Sequence, residues 1–61
     1  MSIRFVVEIR EAGDEIARRF AFGEARKAEA MKRGVESRGG WASQVYTRST
    51  AELLREMGHM A

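Results

Sequence analysis

Sixty-one residues, 44% of them hydrophobic and 33% charged, make a single small globular domain spanning residues 1–61, with little chain to spare for a large core. The absence of cysteine and the single histidine, His59, exclude a disulfide staple and a thiolate zinc site, so no metal or other cofactor is expected. Eleven basic residues against nine acidic ones, interleaved along the chain, leave a net charge of +2, too small to mark a dedicated nucleic-acid binder.

The first segment, "SIRFVVEIRE", alternates: Ile3, Phe5, Val7 and Ile9 share one face, and Arg4, Val6, Glu8 and Arg10 the other. Period two with β-branched and aromatic residues predicts a half-buried strand. "AGDE" supplies turn chemistry through Gly13 and Asp14. "EIARRFAF" alternates again, with Ile16, Phe20 and Phe22 on the apolar side, joined by Arg18, and Ala17, Arg19 and Ala21 opposite. The two runs predict a β-hairpin.

At Glu24 the period changes. At 100° per residue Ala28, Met31 and Val35 fall in one narrow sector, which predicts an amphipathic helix from Glu24 to Arg38. Gly39 and Gly40 end it. "WASQVYTRS" returns to strand composition, with Val45 on the core side and Tyr46 opposite. Ser49 and Glu52 have the spacing of a capping box, which predicts a short helix over Thr50–Met57, closed by Gly58 and followed by a frayed "HMA". The order β-β-α-β-α makes an α+β fold, with a three-stranded antiparallel sheet in the order 2-1-3 and the main helix on one face. Phe5, Val7, Phe20, Phe22, Ala28, Met31 and Val35 form the expected core.

The run Phe22, Ala28, Glu29, Ala30, Met31, Gly34, Val35, Glu36 resembles a pattern of very short phage-encoded accessory proteins, anti-CRISPR and other host-takeover factors among them. In these, a strand ending in Phe leads into a helix reading roughly Glu-Ala-Glu-Ala-Phe-x-x-Gly-Val-Glu. The likeness covers about half the chain, the second strand and the main helix. Met31 replaces the usual Phe, and Gly23-Glu24 stands where an Asp, Ser or Thr cap is usual. The resemblance implies a small protein that binds a host protein complex and inhibits it by occlusion; it carries over no catalytic or binding residue.

Catalysis is not expected. His59 lies in the tail, there is no thiol nucleophile, and the glycines do not form a phosphate-binding loop. No apolar run is long enough for a membrane span and the first residues lack a signal-peptide pattern, so a cytoplasmic location is expected, the host cytoplasm if the protein is phage-encoded. Nor does so small a chain enclose a pocket for a small molecule.

The basic helix carries pairs at i,i+4, Glu29 with Arg33 and Lys32 with Glu36, and reads as a solvated lid. The sheet face away from it is expected to be bare, presenting Arg4, Val6, Arg10, Ala17, Arg19, Gln44, Tyr46 and Arg48. Of these Arg4, Val6, Arg19, Gln44, Tyr46 and Arg48 are the expected partner-binding residues, since arginines around an aromatic match interface hot spots. A host protein is the first expectation and a nucleic-acid strand the second. Two alternatives exist for this face: the C-terminal helix folded back over it, or a second copy of the chain. Leu53, Leu54 and Met57, without an evident partner in so small a core, predict self-association as a homodimer. Trp41 either caps the core or stands exposed.

Overall fold

The computed structural model describes residues 2–58, Met57 and Gly58 through their backbone alone. His59, the tail and the Met57 side chain therefore lie outside the described residues. The elements run β1 (Ile3–Arg10), β2 (Arg18–Phe22), α1 (Ala25–Ser37), β3 (Trp41–Ala42), β4 (Tyr46–Ser49) and α2 (Thr50–Gly58). The fold is α+β, with an open antiparallel sheet in which β1 is central, β2 pairs with one of its edges, and β3 and β4 share the other.

The expected third strand is thus two strands, and the reason is visible in the register. Arg10 is paired with Trp41 and Ile9 with Ala42, but Val6 is paired with Tyr46. Val7 and Glu8 of β1 therefore face Ser43, Gln44 and Val45, one residue too many, which is a β-bulge. Ser43 repairs the ladder there. Its N–H donates to the Glu8 carbonyl at 2.8 Å, and its hydroxyl oxygen accepts the Glu8 N–H at 3.0 Å.

β2 also begins later than the alternation predicts. Glu11 to Asp14 closes a turn, Asp14 N–H donating to the Glu11 carbonyl at 3.0 Å, and the chain stays out of the sheet until Arg18. Ile16 is consequently 73% exposed in the loop and not on the core side, and Ala17 precedes the strand. From Arg18 onward the expected alternation holds: Phe5 faces Phe22, Val7 faces Phe20, and Ile9 faces Arg18.

α1 lies across β1, with β2 and β3 to either side. Ala28 and Val35 on its inner stripe are fully buried against Val7, Ile9 and Ala42, and Phe5, Phe20, Phe22, Met31 and Val45 pack round them. All seven expected core residues are in this layer. Glu24 stands at the N-cap in extended geometry, but its carboxylate turns to Arg26 and Lys27 instead of capping the helix. The C-terminal end is tightly closed. Gly40 N–H donates to the Val35 carbonyl and Gly39 N–H to the Glu36 carbonyl, a Schellman arrangement that needs Gly39 at φ +87°. Gly40 then passes so near β1 that a Cβ would sit 2.6 Å from the Arg10 carbonyl oxygen.

α2 begins with the expected capping box. Glu52 N–H donates to Ser49 Oγ at 3.1 Å, and Ser49 N–H donates to Glu52 Oε1 at 2.8 Å. The helix docks on the side of the sheet opposite α1, where Glu56 pairs with both Arg19 and Arg48. The sheet face is therefore not bare.

Candidate functional site

Opposed residues in an antiparallel pair point to the same side of the sheet. The β1 residues Arg4, Val6, Glu8 and Arg10 therefore share the face away from α1 with Arg19 and Ala21 of β2, Trp41 of β3, and Tyr46 and Arg48 of β4. A network of ions organises its middle. Tyr46 Oη donates to Glu8 Oε2 at 3.1 Å, and the Arg48 guanidinium lies 4.8 Å from the centre of the Tyr46 ring. Arg48 Nε is 3.8 Å from Glu56 Oε2, and Arg19 donates to the other Glu56 oxygen. Burial and the bond to Glu8 push the Tyr46 phenol above its usual range. The bond to Glu56 raises the Arg19 guanidinium, which stays charged.

Arg19, Tyr46 and Arg48 are thus brought together as the sequence suggests, though each already has a partner within the chain, Glu56 for the two arginines and Glu8 for the tyrosine. Val6 corrects the expectation: it is fully buried, since it lies beneath the side of the sheet that α2 covers and cannot touch a partner. Leu53 is corrected for the same reason. It is 9% exposed, facing the sheet, whereas Leu54 on the outer side of α2 is 64% exposed. Gln44 sits in the bulge and is exposed.

The ends of the face are freer than its centre. Arg4 and Arg10 are exposed and form no ion pair among the described residues. Trp41, directly opposite Arg10, is 47% exposed, and with Arg10, Glu15 and Ala17 it lines a shallow depression of about 290 Å³. Strict alternation from Val45 would have put Trp41 in the core and Ala42 outside. The bulge reverses both, burying Ala42 and turning Trp41 onto the arginine face. The available signal was the spacing of Ala42 and Val45: three apart, they cannot both face the core without an extra residue.

Among the described residues no His, Cys, Asp and Glu side chains gather in a group of three or more that could hold a metal, and no helix is long and apolar enough to cross a membrane. On α1 the basic residues are turned outward, Lys32 excepted, which pairs with Glu36 at 3.4 Å and donates to the Ser43 carbonyl at 3.1 Å. The chain matches no protein-family model, no curated protein and no solved structure.

Proposed function

We propose that this chain is a non-enzymatic protein-binding module, an inhibitor of the short phage-encoded type that acts by occluding a host protein complex in the cytoplasm. One observation carries the binding surface: four arginines and two aromatic side chains share one sheet face, with Arg10 and Trp41 side by side and exposed at its loop end. Arginine and tryptophan are the residues most enriched where interface energy concentrates. The inhibitor character rests on the residue pattern of the second strand and main helix alone.

Nucleic-acid binding is the second reading, and Trp41 favours it by adding a stacking surface beside a cation. Against it, the Tyr46 ring is already covered by Arg48 on one side. Affinity capture from a bacterial lysate, followed by mass spectrometry, tests the binding surface with two variants. The pair Arg10→Glu/Trp41→Ala is expected to lose captured protein by about ten-fold in affinity, while Arg33→Glu on the outside of α1 keeps it. The reverse pattern would place the working surface on the helix. Titration with random-sequence single-stranded DNA separates the two partner classes, because phosphate binding weakens steeply as salt rises.

A further inference from the structure

The backbone of Glu8 turns both its N–H and its carbonyl toward Ser43. Successive residues of a strand direct these groups to opposite edges, so Phe5, Val7 and Ile9 direct theirs to β2. Their opposites Phe22, Phe20 and Arg18 must then turn inward to β1, which leaves the N–H and carbonyl groups of Arg19 and Ala21 pointing away from the sheet. No turn, loop or cap among the described residues bonds to them. The other outer edge is broken into two short lengths by the bulge, a common protection against pairing. β2 has neither bulge nor proline.

We propose that β2 pairs antiparallel with β2 of a second copy of this chain, joining two sheets into one across a two-fold axis. The register centred on Phe20 is self-complementary. Arg19 falls opposite the partner's Ala21, and Ala21 opposite the partner's Arg19, so every outward N–H and carbonyl of these residues gains a bond. Arg18 falls opposite the partner's Phe22, a cation over an aromatic ring. Centring on Arg19 instead would set two guanidinium groups face to face, which is unfavourable. The packing also calls for a copy here. All three phenylalanines are only partly buried, and two of them, Phe20 and Phe22, stand on β2 at this open side of the core. A second β2 brings the Phe20 rings together across the axis and closes the apolar layer that one chain leaves unfinished. Oligomerisation is a common remedy for a core of this size.

Sedimentation equilibrium and amide exchange of the full chain, from low-micromolar to millimolar concentration, test this. The expected result is a monomer–dimer equilibrium in which the Arg19 and Ala21 amides become protected as dimer forms, while Phe20 and Phe22 are protected throughout. Ala21→Pro removes an outward donor without touching the ladder to β1, and is expected to weaken the dimer by roughly ten-fold or more. Leu54→Lys, on the exposed side of α2, is expected to leave it unchanged. A strict monomer at millimolar concentration overturns the proposal. So does a dimer in which the Arg19 and Ala21 amides still exchange freely, whether or not Ala21→Pro folds, because another surface would then hold the copies together.

Discussion

Tyr46 stands between an acid and two bases, and at the scale of single residues it offers the cleanest readout in the molecule. Its burial and the Glu8 carboxylate both disfavour the phenolate, so its folded pKa lies above the ordinary 10.0. A raised folded value means that the fold holds this proton better than the unfolded chain does. That contribution is complete below pH 10.0 and disappears as pH climbs through the folded value. As this is the only tyrosine, absorbance at the phenolate band follows it alone. The midpoint is expected above that of free tyrosine, and Glu8→Gln is expected to lower it. Gly40 supplies a second test. A methyl group there meets the Arg10 carbonyl and the Val35 side chain at once, so Gly40→Ala is expected to cost about 1–3 kcal/mol in urea unfolding.

α2 shows what an element owes to its own residues and what it owes to others. Ser49 and Glu52 bond reciprocally, as their spacing predicts, because a capping box needs only neighbours along the chain. Ser49→Ala is expected to cost about 1 kcal/mol and to reduce the helical circular dichroism signal. Ser49 also holds the Glu52 carboxyl below the ordinary 4.5, and Arg38 does the same for Glu11, which it grips at 2.8 Å between the hairpin loop and the end of α1. Depressed folded values mean that both contributions are present above pH 4.5 and are lost as pH falls through the lower folded values. Thermal midpoints are accordingly expected to decline on acidification below that range, and less steeply in a Glu11→Gln/Glu52→Gln variant. Where α2 docks was not legible in the same way. Two leucines at adjacent positions look equally available, and only the docked helix, held by the ion pairs of Glu56 with Arg19 and Arg48, shows that Leu53 is buried and Leu54 exposed.

At the scale of the whole molecule, burial is unequal between the centre and the β2 side. Val7 is wholly enclosed, so Val7→Ala is expected to cost about 2 kcal/mol, near the lower end for a deleted aliphatic side chain. Phe20 is half-buried, and Phe20→Ala is expected to cost roughly 2 kcal/mol in the dilute protein, less than a fully enclosed ring. Denaturant titrations at fixed low concentration compare the two; a much larger loss at Phe20 would mean that its ring is covered already. The Cα extents of 34 × 26 × 12 Å describe a thin molecule, and thinness is why single-chain burial stops at the phenylalanines.

The sequence alone determined the elements and most of their contents. Periods of two and 3.6 residues, paired glycines and a capping spacing are written along one segment at a time; β1, the main helix and the capped C-terminal helix appear close to where they were expected, whereas β2 starts only at Arg18 and the third strand is split in two. The main helix, its closure at Gly39 and the core stripe of Ala28, Met31 and Val35 all belong to this class, and the order β2-β1-β3 followed from them by the rules of strand connection. What tertiary structure decided was which way certain side chains face. The bulge at Ser43–Val45 exists only in relation to β1, because two β1 residues there oppose three. That single surplus residue buries Ala42 and turns Trp41 outward to join Arg10. Val6 was likewise decided at a distance, since its enclosure depends on a helix that begins more than forty residues later in the chain. Local pattern specifies what a segment becomes, but its partner in space sets the register, and register chooses the face.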